Sequence, residues 1–293
     1  MFGVAACGAR TGLVVPSDDG GGSLPPVGDA GAQPLPPIHA TPVDPSQVSG
    51  CADAGSTVIY IVSEQGSLLS FDPPTATLQR IGTLGCPVPA DATPFSMAVD
   101  RAGIAYVLYN DGELFRVSTA TAACRATGFV APPTFTQDFG MGYSTNAADG
   151  GEVLYVADKA TRGHLAILDT TTLALHLVGS FDPSVQSPEL TGTGAGDLFA
   201  FYATDAGSAI AQIDRSTAHS IGNSPLLGVN QNLNYAFAIW GGDFYTFTGL
   251  LTAQQGATEV TRFRPRDGSI VPVGQIVGET IVGAGVSTCA PQP

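Results

Sequence analysis

Three carboxylates and one amide stand at comparable places in the chain, each just ahead of a short apolar segment. They are Asp138, Glu189, Asn234 and Glu279. Carboxylates gathered in one narrow opening repel one another, so at least one would titrate at a raised pKa unless a cation or hydrogen-bond donors compensated. Such a ring is a candidate site for a cation or for sugar hydroxyl groups, and glycoside hydrolysis also uses paired carboxylates. The alternative is that each side chain caps its own loop.

Cys7 is the residue with the next clearest chemistry. It ends the sequence Val4-Ala5-Ala6-Cys7, which has the form of a lipobox, where the cysteine is acylated after signal cleavage. We therefore predict lipidation of Cys7 and interpret residues 1–7 as the remnant of a lipoprotein signal. The alternative is an incidental cysteine near the terminus.

Five copies of one stretch must position these residues. Each copy has an aromatic residue inside a strand, then a turn, then a second strand whose end is followed by a polar turn, in most copies Asp or Ser with Thr three residues later. The strand aromatics are Tyr60, Tyr106, Tyr155, Phe199 and Tyr245. A repeat of about 40–50 residues with several strands is the usual size of a β-propeller blade. The Asp and Thr side chains are interpreted as turn caps.

The predicted fold class is therefore all-β, a five-bladed β-propeller with four-stranded antiparallel blades. The blade around Tyr106 shows four strands, at Phe95–Val99, Ile104–Tyr109, Glu113–Val117 and Cys124–Val130. The inner strand of each blade lines a central channel, so the candidate ring would surround one end of it, with Pro94 in place of a polar residue in one blade. Glycines in the inner strand Leu190–Ala195 indicate close backbone packing.

The first copy lacks an inner strand, and the C-terminus has a spare one at Ile281–Val286. We predict that this strand completes the first blade and closes the ring, which removes an exposed sheet edge. Four cysteines allow three pairings. Ring closure would place Cys51 beside Cys289 at one rim, which leaves Cys86 for Cys124. A bond between Cys51 and Cys86 is the alternative.

Residues 8–50 are rich in Gly, Pro, Asp, Ala and Ser. Such a composition cannot bury enough apolar surface to fold. The predicted organisation is a signal remnant at 1–7, a disordered tether at 8–50 and the propeller at 51–293.

Charge and composition exclude several functions. The net charge of −14 over 293 residues includes one lysine, Lys159, so there is no basic surface for nucleic acid. No apolar run approaches the roughly 20 residues of a membrane-spanning helix, and we expect membrane contact only through a lipid anchor. The predicted location is outside the cytoplasm, in the cell envelope or extracellular, and the protein is expected to be a monomer.

Sequence motifs of catalysis are missing. The chain has no Gly-x-Ser-x-Gly, His-Glu-x-x-His, Walker or calcium-loop pattern, and its four histidines are scattered. We expect no cofactor, and the sequence leaves metal binding open.

Seven motifs resemble those of uncharacterised myxobacterial surface lipoproteins of β-propeller type. They are Cys7–Leu13, Phe95–Arg101, Asp111–Val117, Phe139–Tyr143, Glu189–Asp197, Trp240–Phe244 and Val282–Cys289. The resemblance covers nearly the whole chain and implies a surface-anchored propeller. It implies no activity and no functional residue.

Three functions remain open. The first is a non-enzymatic binding or scaffold module on a cell surface, whose partner is an unknown surface protein or a glycan. The second is a glycan-active hydrolase that uses carboxylates at the channel mouth. The third is a purely structural envelope protein.

Overall fold

The computed structural model describes residues 33–42, 48, 50–51, 57–146, 148–232, 234–250 and 256–292. Within these residues the chain forms five sheets of four antiparallel strands each. The fold is a five-bladed β-propeller, which confirms the predicted fold class. Cys7 and the rest of residues 1–32 lie outside the described residues.

All strands are short, between three and nine residues. In chain order they are β1 (Ile59–Ser63), β2 (Ser67–Asp72), β3 (Thr77–Thr83), β4 (Pro94–Val99), β5 (Ile104–Tyr109), β6 (Leu114–Ser118), β7 (Cys124–Ala126), β8 (Phe139–Thr145), β9 (Glu152–Asp158), β10 (His164–Leu168), β11 (Leu175–Ser180), β12 (Glu189–Gly192), β13 (Leu198–Thr204), β14 (Gly207–Ile213), β15 (Ser220–Leu227), β16 (Tyr235–Trp240), β17 (Asp243–Gly249), β18 (Ala257–Arg264), β19 (Ser269–Val277) and β20 (Ile281–Gly285). Blade 1 has the order β20-β1-β2-β3, and blades 2 to 5 each use four consecutive strands.

The C-terminal strand closes the ring, as predicted. β20 pairs antiparallel with β1, with Tyr60 opposite Gly285 and Val62 opposite Gly283. The structure contains both expected disulfides. Cys51 is bonded to Cys289, and Cys86 to Cys124, with Cα atoms 5.3 Å and 4.9 Å apart respectively.

One turn conformation recurs before the outer strand of every blade. Its last residue has a positive φ, which falls on Ala76, Ala122, Leu173, Ala218 and Gly268. In blade 3 the Leu173 N–H donates to the Asp169 carbonyl at 2.7 Å, and Asp169 Oδ1 accepts from the N–H groups of Thr171 and Thr172. These bonds hold the pKa of Asp169 below its usual range. The polar residues therefore cap the turns, and the fifth blade achieves the same turn with Gly268, which adopts positive φ at little cost.

The core lies between neighbouring blades. Between blades 4 and 5 the rings of Phe199 and Phe244 have centroids 4.9 Å apart, and those of Phe201 and Phe237 are 5.5 Å apart. All four side chains are fully buried. Aromatic pairs at such separations add to the stabilisation that burial of their area provides.

The inner strands approach one another so closely that glycine is required. A Cβ on Gly142 would lie 2.7 Å from the Leu190 carbonyl carbon, and one on Gly283 would lie 2.8 Å from the Met97 nitrogen. In the strand for which close packing was predicted, a Cβ on Gly192 would lie 2.5 Å from the Tyr143 carbonyl oxygen. As a result, the middle of the channel, near Met141, Thr191 and Ala284, is too narrow to hold a water molecule.

The N-terminal segment departs from the predicted tether. Ile38, which the sequence placed in the spacer at 8–50, is fully buried among the aromatic residues between blades 4 and 5. The Asn223 N–H donates to the Pro36 carbonyl at 2.7 Å, and Thr41 N–H and Oγ1 donate to the Asp197 carboxylate. The compact unit thus begins at Leu35 rather than at Cys51.

Two strands are shorter than predicted. β7 ends at Ala126 because Thr127 Oγ1 then donates to the Leu114 carbonyl, and Gly128 adopts a positive φ. These features turn Phe129 into the core between blades 2 and 3. β12 ends at Gly192, and the chain then turns through Gly196, which also has a positive φ.

Candidate functional site

The channel has two open ends, which differ in chemistry. We call the end at which the five inner strands begin the upper end, and the opposite one the lower end. A cavity of about 170 Å³ opens at the upper end, and we call it the mouth recess. It is lined by Glu64, Thr93, Pro94, Phe95, Asn110, Lys159, Glu189, Asn234, Tyr235 and Val282.

Two kinds of strand ends supply the lining residues. Inner strands begin at the upper end, which brings Phe95, Glu189 and Tyr235 there. The second strand of each blade runs antiparallel to the inner one, so the residues that follow it, such as Asn110 and Lys159, emerge at the same end. The site is thus assembled from several blades around the channel axis.

Glu189 is the most deeply buried ionisable residue of the mouth recess. Its side chain is 4 % exposed, and its Oε2 accepts a 2.8 Å hydrogen bond from Ser96 Oγ on the inner strand of blade 2. Burial raises the pKa of this carboxyl to about 8, against the opposing influence of the Ser96 hydroxyl and the Lys159 charge. At pH 7 the group is therefore mostly a neutral acid that can donate a hydrogen bond.

Lys159 is the cation of the recess. Its Nζ lies 3.8 Å from the centroid of the Phe95 ring, which is a cation–π contact. Burial lowers the pKa of the amine, and the nearby Glu189 and Asp138 carboxylates oppose that shift. Thr136 fixes the backbone beneath it, since its Oγ1 accepts from the Lys159 N–H at 3.0 Å and donates to the Asp138 carbonyl at 2.6 Å.

A histidine–aspartate pair orders the turn that follows Lys159. His164 Nδ1 lies 2.9 Å from Asp158 Oδ2, and the His164 N–H donates to Asp158 Oδ1 at 2.8 Å. Asp158 is buried, with 1 % of its side chain exposed. A lone histidine in a strand suggests an isolated surface residue, whereas His164 is part of the support for the recess.

Amide and phenol groups complete the polar lining. The Thr93 N–H donates to Asn110 Oδ1 at 3.0 Å. This bond fixes the orientation of the Asn110 side-chain amide, whose NH₂ group points away from the Thr93 N–H. The Tyr235 hydroxyl donates to the Ser187 carbonyl at 2.5 Å. Burial raises the pKa of Tyr235, so the phenol stays neutral. These groups hold a fixed geometry of the kind that recognises hydroxyl groups on a ligand.

The residues of the predicted ring do not form one shared site. Glu189 and Asn234 line the mouth recess, and half-buried Asp138 lies close enough to Lys159 to influence its pKa. Glu279 instead accepts hydrogen bonds from Ser63 Oγ at 2.5 Å and Ser67 Oγ at 2.7 Å. That carboxylate caps the β1–β2 hairpin, whose residues are more than 200 positions away in the chain, rather than its own loop. The raised pKa at Glu189 arises from burial and not from mutual repulsion.

The described residues of the recess do not form a metal-binding group. Among the described residues there is no group of three or more His, Cys, Asp and Glu side chains that could hold one. The mouth recess contains a cationic side chain of its own, Lys159.

The polar groups at the lower end of the channel are engaged in contacts that hold the blades together. A cavity of about 260 Å³ there lies beside the Cys51–Cys289 disulfide and Arg101. Arg101 Nε donates to Thr288 Oγ1 at 2.7 Å and Nη1 to the Gly150 carbonyl at 2.7 Å, while Thr288 Oγ1 donates to Glu152. These bonds join blades 1, 2 and 3, and the guanidinium is committed to them.

Trp240 is held by one hydrogen bond and by packing contacts. Its Nε1 donates to the Thr57 carbonyl at 2.8 Å, and its ring packs against the core of blades 5 and 1. The only tryptophan of the chain therefore packs against the core.

Glu64, Asn110 and Lys159 are lining residues that sequence reasoning missed. A signal for them was present. Each follows the second strand of a blade, and an antiparallel partner of the inner strand must end where that inner strand begins. The same topological argument that selected Glu189 and Asn234 therefore also selects these three residues.

Comparisons with known proteins identify no family for this chain. No known protein family and no curated protein matches the sequence. Among solved structures, a protein of unknown function from Bacteroides caccae has a TM-score of 0.41 at 10% identity, over 75% of this chain and 72% of that one. A chain of the mitotic checkpoint complex has a TM-score of 0.40 at 12% identity, over 94% of this chain and 78% of that one. The Dos1 propeller has a TM-score of 0.43 at 12% identity, over 80% of this chain and 72% of that one. In the described part of the chain, no helix is long and apolar enough to cross a membrane.

Proposed function

We propose that this protein is a non-enzymatic binding module that recognises a glycan through the mouth recess. The observation that carries the proposal is the content of that recess. One cation, one buried neutral carboxyl, two side-chain amides and two aromatic residues converge in about 170 Å³. Amides, carboxyl groups and an ammonium group together donate to and accept from sugar hydroxyls, and the aromatic rings offer apolar surface to the sugar carbons.

The closed channel supports a ligand that binds at the surface rather than one that passes through. Among the described residues the middle of the channel has no room for water, so the recess does not continue through the ring. The end of a glycan chain suits such a site.

The proposed location is the outer side of a membrane, with Cys7 as the lipid-bearing residue. The two disulfides support an oxidising compartment, and the resemblance of the motifs to surface lipoproteins supports an anchor. Expression with the natural upstream signal and a Cys7→Ala change tests this part. The variant should leave the membrane fraction, and a variant that stays there would contradict the anchor.

A panel of free glycans in solution, each with an unattached reducing end, tests the binding function. The protein should bind a defined subset of glycans, and Lys159→Gln and Asn234→Ala should weaken that binding at least about tenfold. Arg125→Gln is the matched control, because Arg125 is an exposed residue on an outer strand. Equal binding by Lys159→Gln and wild type would overturn the assignment of the site, and failure to bind any glycan would favour a structural envelope protein.

A glycan-active hydrolase is the second candidate, and one observation favours it. Two carboxyl groups, Glu64 and Glu189, line the same recess, and the raised pKa of Glu189 suits a general acid. Release of reducing sugar by the wild type, abolished in Glu189→Gln and retained in the exposed-site control Glu113→Gln, would establish this function in place of binding.

A further inference from the structure

The single lysine of this chain stands out among its basic residues. Lysine and arginine together number eleven, and Lys159 is the only lysine. The other ten are arginines, which stay charged in proteins. A lysine can do what arginine cannot, because its amine can lose a proton and act as a nucleophile. The only lysine side chain of the protein lies in the mouth recess.

The surroundings of Lys159 are those of a protected amine beside an acid. Its Nζ rests on the face of Phe95, half-buried, with room for a small molecule in the cavity of about 170 Å³. For comparison, an engineered cavity of about 150 Å³ is large enough to hold benzene. The other titratable groups around the recess are Glu189 on blade 4, Asp138 before β8, Glu64 after β1 and the Tyr235 phenol on blade 5.

We propose that the Lys159 amine binds an aldehyde covalently, as a Schiff base, and that the ligand class is a reducing sugar in its open-chain aldehyde form. This inference rests on the glycan-binding function proposed above and names the group of the ligand that enters the recess. The carboxyl of Glu189 supplies and recovers the proton that the condensation needs.

The proposed step balances without any further reagent. The lone pair of Nζ attacks the aldehyde carbon, and one proton then passes from this nitrogen to the former carbonyl oxygen, which becomes the hydroxyl group of the resulting carbinolamine. The Glu189 carboxyl protonates that hydroxyl, which leaves as water, and the nitrogen returns a proton to the Glu189 carboxylate. The net change is one amine and one aldehyde to one imine and one water, which is reversible and leaves Glu189 as it began.

The ionisation of both partners agrees with this chemistry. Burial lowers the pKa of Lys159, which increases the fraction of free amine near neutral pH. Burial raises the pKa of Glu189 to about 8, which keeps it protonated and able to donate. Each unit by which an amine pKa falls gives about tenfold more nucleophile at a fixed pH below it.

Reductive trapping tests the proposal on the whole protein. The protein is incubated at pH 7 with glyceraldehyde and sodium cyanoborohydride, and peptide mapping by mass spectrometry measures alkylation of each amine. An Arg125→Lys variant places an ordinary exposed lysine in the same chain as an internal reference. We expect Lys159 to react at least about tenfold faster than the lysine introduced at position 125, and Glu189→Gln to slow the reaction at Lys159 while Glu113→Gln does not.

Two outcomes would overturn the proposal. One is a rate at Lys159 equal to or below that of the reference lysine. The other is unchanged glycan affinity in Lys159→Arg, measured without reductant, for a glycan whose free reducing end was required for binding. Loss of the proposed function would look different, since no glycan would then bind even though Lys159 could still be trapped by glyceraldehyde.

Discussion

Cys51 and Cys289 are 238 residues apart in the chain, yet a disulfide joins them with their Cα atoms 5.3 Å apart at the lower end of the channel. The bond lies beside the junction of β20 and β1, where the two ends of the propeller meet. The disulfide therefore adds a covalent link to the ring closure that the pairing of β20 with β1 forms.

The two disulfides should contribute unequally to stability. By the chain-entropy argument, the loop of 238 residues closed by Cys51–Cys289 contributes about 5 kcal/mol, and the loop of 38 residues closed by Cys86–Cys124 about 4 kcal/mol. Paired Cys→Ser variants measured by guanidinium unfolding should show the larger loss for the ring-closing bond. A larger loss for the Cys86–Cys124 pair would contradict a role of Cys51–Cys289 in ring closure.

Ile38 should behave as a core residue although it lies in a proline-rich segment. Ile38→Ala should lower the free energy of unfolding by about 2–5 kcal/mol, because the side chain is fully buried between blades 4 and 5. His39→Ala is the matched control, since its side chain is exposed and the contact made by this residue is through its backbone N–H. A chain that begins at residue 51 and is as stable as the full protein would show that the segment is not part of the domain.

Gly142 should not tolerate a side chain. Gly142→Ala places a Cβ 2.7 Å from the Leu190 carbonyl carbon, so two inner strands must move apart, at a cost of about 1–3 kcal/mol or more. Gly85→Ala serves as the control, because a Cβ added there would have no other atom within 4 Å and the φ of Gly85 is not positive. Thermal unfolding of both variants measures the difference, and equal melting temperatures would contradict the close approach of the inner strands.

Glu189 should make stability fall as the pH rises. Its pKa of about 8 in the folded state lies above the ordinary value of 4.5, so between these values the folded protein holds more protons than the unfolded chain. Stabilisation is therefore complete below pH 4.5 and is lost as the pH rises through 8, with a limiting slope of about 1.4 kcal/mol per pH unit. Denaturation of wild type and Glu189→Gln from about pH 5 to about pH 8 should show the smaller slope for the variant. Parallel curves would mean that the carboxyl is ionised throughout.

The sequence was sufficient for the architecture because the repeat and the turn chemistry are local. Asp169 and the threonines after it predict a turn without reference to the rest of the chain. The unpaired apolar strand that begins at Ile281 can be paired in the incomplete first blade. The glycines of the inner strands likewise indicate close packing from their position in the repeat alone. Each of these inferences uses neighbours in sequence or the requirement that a ring has no free edge.

Only part of the site could be predicted from the sequence, because several of its contacts join residues that are far apart in the chain. The sequence places Glu279 in the ring, but its carboxylate caps Ser63 and Ser67, which are 216 and 212 residues away. Ile38 stands alone in a run of prolines, and its burial depends on a gap formed by residues of blades 4 and 5. Neither partner is marked by a local pattern. The burial that raises the pKa of Glu189 is also a property of the assembled ring.

Observation of Lys159 by NMR tests the central claim most directly. Because the chain has one lysine, labelling lysine with ¹³C gives a single ε-methylene signal that reports on the mouth recess. Titration with a free glycan that binds in the solution panel should shift this signal in a saturable way, with an affinity equal to that measured by calorimetry. A glycan that binds by calorimetry and leaves the lysine signal unchanged would contradict the recess as the binding site.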